Sequence, residues 1–294
     1  MSTTHRDFDL GRGALAPTAE AAYRWLGTPP EARTIARPRR AASVLLLRDG
    51  LSGIEVFMQE RVSSMAFAPG MWVYPGGSVD PSDTADLPEG ARDGRGDEME
   101  IPRRAGVREV FEECGILFAG SGPDDVLQDL SAKGWATYRA ALVARSISFA
   151  EMLRREGLVM RSDLLQPVGR WVTPECEPRR YDTTFWAAKV PPGQGADGRT
   201  TEASTSAWVE ASTAVRRHAQ GPPTLMPPTV VLAEQVARCA TVADYLATPR
   251  TVTAVRPEPV LLAAEPGGRV VMRAPIDEHG NSVQDEALAP QAAD

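Results

Sequence analysis

Cysteine is scarce in this 294-residue chain: Cys114, Cys176 and Cys239 are odd in number and far apart. They outline neither a disulfide framework nor a zinc site, and a reducing compartment is expected. Histidine is as thin. His5, His218 and His279 stand apart from any cysteine or acidic pattern, which leaves a histidine-based triad or zinc centre without support. Lysine occurs only as Lys133 and Lys189, every other basic side chain being arginine or histidine, and alanine is abundant. These two biases read as coding bias rather than mechanism. No run approaches the ~20 apolar residues of a membrane span, and Met1 to Leu10 carries charges without an apolar core. Neither a membrane segment nor a signal peptide is expected, and the expected location is cytoplasmic. Net positive charge is missing as well: the formal charge is -7. That argues against a nucleic-acid surface, despite local basic clusters at Arg37 to Arg40 and Arg179-Arg180.

What is present is enough chain to bury a sizeable core, as one elaborated domain or two small ones. Thr18 to Leu26 has helical character and a Pro/Arg linker follows it. Ala41 to Leu47, Ile54 to Gln59 and Met71 to Tyr74 read as strands, the first two joined by a turn at Asp49 to Gly53. A helix is expected from about Arg103, after Pro102, to the stop at Gly115. Residues 123–166 read as helical, Gly169 to Thr173 and Tyr181 to Val190 as strands, and Trp208-Val209 as a short strand before a helix at Glu210 to Ala219. A final helix is expected over 229–247 and a hairpin over Val260 to Ala263 and Arg269 to Met272. Asp277 to Asp294 reads as a disordered tail.

The helix ending at Gly115 carries the chemistry. Glu109, Glu112 and Glu113 stand at i, i+3 and i+4, so at about 100° per residue they share one face. Three hard oxygen donors on a rigid face suit Mg²⁺ or Mn²⁺, which bind through a few carboxylates, waters and substrate phosphate oxygens. Arg108 can bridge to Glu112 at i+4. A solvated acidic face is the competing interpretation, since Glu is simply a good helix former.

The segment Arg108-Glu109-Val110-Phe111-Glu112-Glu113-Cys114-Gly115-Ile116 resembles the second half of the Nudix box. That pattern is Gly, five residues, Glu, seven residues, then Arg-Glu-apolar-any-Glu-Glu-any-Gly-apolar. Two registers compete for its first half. Gly94, Glu100 and Arg108 fit without a gap. Alternatively Gly76-Gly77 closes the apolar run Met71 to Pro75, and Asp83 replaces the usual Glu with a spacer of 24 residues before Arg108. The second is favoured, because a box glycine belongs where a strand ends and the backbone turns sharply. The excess is polar, acidic and rich in Gly and Pro, as an exposed loop would be.

Phe67 to Asp80, Trp171-Val172-Thr173-Pro174 and Arg179 to Phe185 are similar to the branch of that family that includes coenzyme A and acyl-coenzyme A diphosphatases. The likeness extends from about Ala41 to Leu232. One departure is Met65, where that branch often has a second arginine after the one matched by Arg61. The resemblance implies an α/β fold, a Nudix α/β/α sandwich with a mixed β-sheet plus a helical insertion. The expected organisation is an N-terminal extension and linker at 1–39, a Nudix domain at 40–248 and a partly disordered C-terminal extension at 249–294. Within the domain, a box-loop insertion falls at about 84–102 and a helical insertion at about 123–166.

The resemblance also implies Mg²⁺- or Mn²⁺-dependent hydrolysis of a diphosphate linkage in a small nucleotide-containing substrate, coenzyme A or acyl-coenzyme A foremost. An ADP-sugar or dinucleotide diphosphatase and a non-hydrolytic nucleotide sensor are the alternatives, and the intact glutamates count against the sensor. By the same resemblance Glu109, Glu112 and Glu113 ligate metal, with the carbonyl of Gly76 or Gly77 completing the shell, and Arg108 orients the glutamates. The general base is a box glutamate or a later acid such as Glu202. Arg61, Arg179 and Arg180 are candidate phosphate contacts. Phe185 and Trp186 are core residues or base-stacking ones, and Cys114, following the acids, is a poor nucleophile.

Overall fold

The computed structural model describes residues 4–10, 15–62, 69–84, 98–131, 134–200, 203–221, 225–262 and 268–283. Met65, Gly94, Glu202 and most of the expected box-loop insertion lie outside the described residues. In chain order the elements are β1 (Arg6–Asp9), α1 (Ala16–Gly27), β2 (Arg39–Asp49), β3 (Ile54–Arg61), β4 (Trp72–Val73), β5 (Gly76–Ser78), α2 (Glu100–Cys114), β6 (Ala119–Gly120), α3 (Trp135–Val143) and α4 (Phe149–Glu156). They continue with β7 (Val159–Met160), β8 (Gln166–Val172), β9 (Tyr181–Lys189), β10 (Ala203–Glu210), α5 (Ala211–Gln220), α6 (Pro227–Ala237), α7 (Val242–Ala247), β11 (Ala254–Val255), β12 (Glu258–Leu262) and β13 (Arg269–Ala274).

The run Val44-Leu45-Leu46-Leu47 has no accessible face, which is the signature of a central strand covered on both sides. It belongs to β2, within a mixed sheet ordered β10-β3-β2-β9-β8-β11. β2 pairs in parallel with β9 and β11 in parallel with β8, while β10–β3, β3–β2 and β9–β8 are antiparallel. On its other edge β2 pairs with β3 through Leu47 to Asp49 and with β5 through Ala41 to Ser43. The glycine pair is thus stitched into the sheet beside the middle of the molecule.

Alternation along β2 sorts the core into two layers. Val44 and Leu46 join Val107, Val110, Phe111, Met152 and Trp186 under α2 and α4. Leu45 and Leu47 join Val230, Val236 and Tyr245 of α6 and α7, together with Phe8, Val270 and Met272 of a second, three-stranded sheet ordered β1-β13-β12. Helices therefore cover both faces, and the architecture is the expected α/β/α sandwich with a mixed sheet.

Several boundaries differ from the sequence reading. Helix α2 starts at Glu100, with Pro102 inside its first turn, where the missing N–H has no intrahelical partner to lose. Among the described residues the expected helical stretch 123–166 holds the α-helices α3 and α4, with strand β7 and a 3-10 turn at Ser162–Leu164 after them; residues 123–131 form a loop whose Leu127 and Leu130 pack on the core without helix. The expected helix 229–247 is two, because Thr241 caps α7 in a capping box with Asp244. The expected tail is structured as far as Val283: Asp277 accepts the N–H groups of His279 and Asn281, and Ile276 bridges Ser282. Strand β1 was not expected at all.

Candidate functional site

Helix α2 approaches the sheet closely at Gly106, where an added Cβ would press on Val44, Leu165 and Trp186. It ends at Gly115, whose φ of 71° is the left-handed conformation that closes helices. Between these two glycines the apolar face is locked to the core, and Arg108, Glu109, Glu112 and Glu113 project toward β5 and the turn Pro81–Thr84.

Arg108 organises this face. Its Nε and Nη2 donate to Asp83 Oδ1 at 2.8 Å and Oδ2 at 3.1 Å, and Nη2 also donates to the Ser78 carbonyl at 3.0 Å. Its Nη1 donates to Glu109 Oε1 at 2.9 Å and, more weakly, to Glu112 Oε1 and Oε2 at 3.3 and 3.4 Å. The Arg108–Asp83 pair is buried, and breaking such a pair costs about 3–5 kcal/mol because an uncompensated charge is left inside. Burial alone would loosen the Arg108 proton, but the Asp83 hydrogen bond and the charges of Glu109, Asp83 and Glu112 outweigh it and hold it more firmly than in water. Asp83 also accepts the Asp80 N–H at 2.7 Å. Glu100 instead meets Arg103 at 3.1 Å and Ser162 at 3.2 Å. Of the two acids competing for Arg108 in the sequence, Asp83 is the one that touches it.

The glycine pair completes the arrangement. Gly76 N–H donates to Glu113 Oε2 at 3.0 Å. A Cβ at Gly77 would run into the Glu109 carboxylate, and one at Gly76 into the backbone of Ala42 and Ser43. The cradle in which Glu109 lies therefore exists only because residue 77 has no side chain. Burial raises the proton affinity of Glu112 above the usual carboxylate range, against the opposing pull of Arg108.

As the side chains stand, no three His, Cys, Asp or Glu groups among the described residues converge tightly enough to hold a metal ion. The cause is on view: Arg108 draws Glu109 and Glu112, and Gly76 draws Glu113. In chemistry and placement the donor set still fits a hard divalent cation, with three carboxylates on one face against a glycine cradle.

Two cavities flank this face. One, of about 820 Å³, lies between α2 and the insertion helices and is lined by Glu109, Glu112, Glu113, Trp135, Leu142 and Phe149 among others. The other, of about 470 Å³, is lined by Arg61, Gly76, Gly77, Trp171, Tyr181 and Phe185, with Met272 from the small sheet and Leu10 just after β1. Both volumes are in the range of small-molecule sites.

The other expected residues are distributed unevenly. Arg61 is on the smaller cavity, whereas neither Arg179 nor Arg180 lines either one. Arg180 is buried and donates to the Thr173 and Ala36 carbonyls at 2.9 and 2.8 Å, so its guanidinium serves the fold. Trp186 is fully buried with Arg103 over its ring, a core residue rather than a stacking platform. Burial pushes the Cys114 thiol well above its ordinary range, and Gln59 donates to its sulfur at 3.7 Å. His218 accepts the Leu225 N–H through Nδ1 at 3.3 Å.

Arg139 was not anticipated. From α3 its Nε and Nη2 donate to the main-chain carbonyls of Glu112 and Glu113 at 2.7 and 2.6 Å, and its Nη1 pairs with Asp197 at 2.6 Å. Asp197 N–H in turn binds the Cys114 carbonyl at 2.9 Å. A cation from α3 thus closes the C-terminal turn of the glutamate helix, where carbonyls lack partners and the helix dipole favours positive charge. No spacing rule links residue 139 to residue 112.

Comparison with known proteins agrees with this picture. No family model matches the chain. It is 28% identical over 207 residues to a putative nudix hydrolase 7 of Caenorhabditis elegans, an alignment that takes in 70% of this chain and 62% of that protein. The chain thus spans less than two thirds of that relative. In three dimensions it resembles the crystal structure of a NUDIX hydrolase from Alicyclobacillus acidocaldarius, with a TM-score of 0.64 and 25% identity over 73% of this chain and 98% of that one. Among the described residues no helix is long and apolar enough to cross a membrane. The fold is that of the Nudix hydrolases, and in sequence as in structure the chain is similar to members of that superfamily.

Proposed function

We propose that the chain hydrolyses a diphosphate linkage in a nucleoside-diphosphate-linked metabolite, with Mg²⁺ or Mn²⁺, and that coenzyme A or an acyl-coenzyme A is its substrate. The observation that carries the reading is the position of Glu109, Glu112 and Glu113 on one helix face, all three lining the larger cavity and Glu109 the smaller one as well. A diphosphate resists hydrolysis because its oxygens repel a nucleophile; a divalent cation, when bound, neutralises those oxygens and acidifies a water. The chain's own part is to supply charge and position. Glu109, Glu112 and Glu113 hold the cation, Arg108 fixes the orientation of Glu109 and of the Ser78 turn, and a glutamate of the triplet takes the proton of the attacking water.

The larger cavity combines arginines with an apolar wall of Trp135, Leu142 and Phe149, which suits a long arm such as pantetheine. The smaller has the aromatic wall of Trp171, Tyr181 and Phe185, with Arg61, and suits an adenosine moiety. Because Arg179 and Arg180 lie off both cavities, Arg61 is the remaining candidate of the three for a 3′-phosphate contact. That same observation favours a second reading, a broader ADP-sugar or dinucleotide diphosphatase.

A substrate panel containing coenzyme A, its 3′-dephospho form, ADP-ribose and a dinucleoside polyphosphate separates these readings, with products identified by mass. Coenzyme A is expected to give 4′-phosphopantetheine and the 3′,5′-phosphorylated adenosine, and to exceed ADP-ribose in kcat/KM. Glu112→Gln and Glu113→Gln are expected to lower kcat by about 10²-fold or more, the scale on which one preorganised electrostatic group acts, with circular dichroism unchanged. Near-normal turnover of both variants at saturating Mg²⁺ would end the metal-dependent reading. Binding without turnover by the unmutated chain would replace it with a nucleotide sensor.

A further inference from the structure

We infer that Arg145 is a substrate-binding residue, gripping the diphosphate where the two cavities meet; the inference rests on the diphosphatase reading above. The first observation is placement. Asp80, Arg108, Glu109 and Arg145 line both cavities, so two guanidinium groups reach their junction. Arg108 is engaged by Asp83, Glu109, Glu112 and the Ser78 carbonyl. Arg145 meets Asp80 only at 4.0 Å, beyond hydrogen-bond length, and its side chain is 87% exposed. An anionic ligand entering this junction faces Asp80 and the glutamates, and it needs a cation whose planar donors are available. A guanidinium can meet two phosphate oxygens at once.

The second observation is in the backbone. Arg145 has φ of 54° and is the non-glycine residue with left-handed φ among the described residues. Helix α3 closes there with Ala144 N–H on the Ala140 carbonyl, Arg145 N–H on Leu142 at 2.8 Å and Ser146 N–H on Ala141 at 2.9 Å. Glycine occupies such a position without strain. The chain instead bears strain to keep a long cationic side chain at the cavity junction, and strain of this kind gathers at ligand sites. The closing hydrogen bonds also fix the point from which the side chain departs, so the guanidinium sweeps a limited volume over the junction.

The test compares the unmutated chain with Arg145→Gly, which removes charge and strain together, and Arg145→Lys, which keeps the charge. Binding of α,β-methylene-ADP in Mg²⁺, a diphosphate that cannot be hydrolysed, is measured by calorimetry beside kcat/KM on the best panel substrate and thermal melting. Arg145→Gly is expected to weaken binding of the probe about tenfold or more, with a melting temperature within about 2 °C of the unmutated chain. Arg145→Lys is expected to recover most of that loss. Binding by Arg145→Gly within twofold of the unmutated chain overturns the proposal. So does a lost affinity accompanied by a clear fall in melting temperature, which would assign Arg145 to the fold. If the unmutated chain binds the probe yet hydrolyses nothing in the panel, the hydrolase reading fails while the binding series still decides on Arg145. If it hydrolyses a panel substrate yet does not bind the probe, the Arg145 proposal falls and the hydrolase reading stands.

Discussion

Adjacent glycines in this chain have different tasks, and the difference can be measured. A methyl at Gly77 meets only the carboxylate end of Glu109, which can swing aside, whereas a methyl at Gly76 meets the backbone of Ala42 and Ser43. Gly77→Ala is therefore expected to fold normally and lose activity at least tenfold, because Glu109 is displaced from its cradle. Gly76→Ala is expected to lose roughly 1–3 kcal/mol of stability as well, the cost of a strained or displaced backbone. Thermal melts alongside kcat distinguish the two; equal stability in both variants would contradict the separation. Individual residues were legible where spacing encodes them. Glu109, Glu112 and Glu113 follow from helical periodicity, and Asp83 from its distance after Gly77. Arg179 and Arg180 are candidates by donor chemistry and resemblance, and neither carries a direction: Arg180 turns to the Thr173 and Ala36 carbonyls instead of a cavity.

At the level of elements, the glutamate helix owes its last turn to another helix. Arg139 of α3 binds the carbonyls of Glu112 and Glu113, two of the three glutamates that line the larger cavity. Arg139→Ala is expected to cost about 2–3 kcal/mol, the scale of hydrogen bonds to a charged group, and to weaken Mn²⁺ binding because both carboxylates lose a fixed origin. Arg139→Lys, with one ammonium in place of a fork, should recover part of each. Melting temperature and a Mn²⁺ titration followed by paramagnetic resonance test this, and unchanged Mn²⁺ affinity in Arg139→Ala would refute the positional role. Elements with strong local patterns were readable: β2 by its apolar run, α2 by periodicity and Gly115, the β12–β13 pair by two apolar runs on either side of the sequence Pro266-Gly267-Gly268. The split between α6 and α7 was hidden, because apolar spacing continues across a break set by the Thr241–Asp244 cap. Contacts such as Arg139 to Glu112 were hidden for a further reason, since no local pattern records which distant polar partners meet.

For the whole molecule, the small sheet matters beyond its size. β1 pairs with β13 from Arg6↔Ala274 to Asp9↔Val271, and Arg273 grips Asp7 through two hydrogen bonds of 2.8 Å. Val270, Met272, Ala274 and Ile276 are buried in the larger core layer, and Leu10 and Met272 line the smaller cavity. Removing residues from 254 onward is therefore expected to abolish cooperative thermal unfolding and increase binding of a hydrophobic dye, rather than trim an accessory. A sharp melt near that of the full chain would show that the rest folds alone. β1 was invisible beforehand because four residues with two aspartates have no strand pattern of their own; only its distant partner makes it a strand.

That partnership imposes an order in time. Asp7 and Arg273 are 266 positions apart, so during synthesis β1 has no partner until the chain has been made as far as β13. Phe8 and Leu10, which finish buried, stay without the neighbours that β13 supplies until then. Closing so long a loop is entropically late and slow. The β1–β13 pairing is thus expected to form late, and until then the newborn chain carries apolar surface of the kind that chaperones recognise.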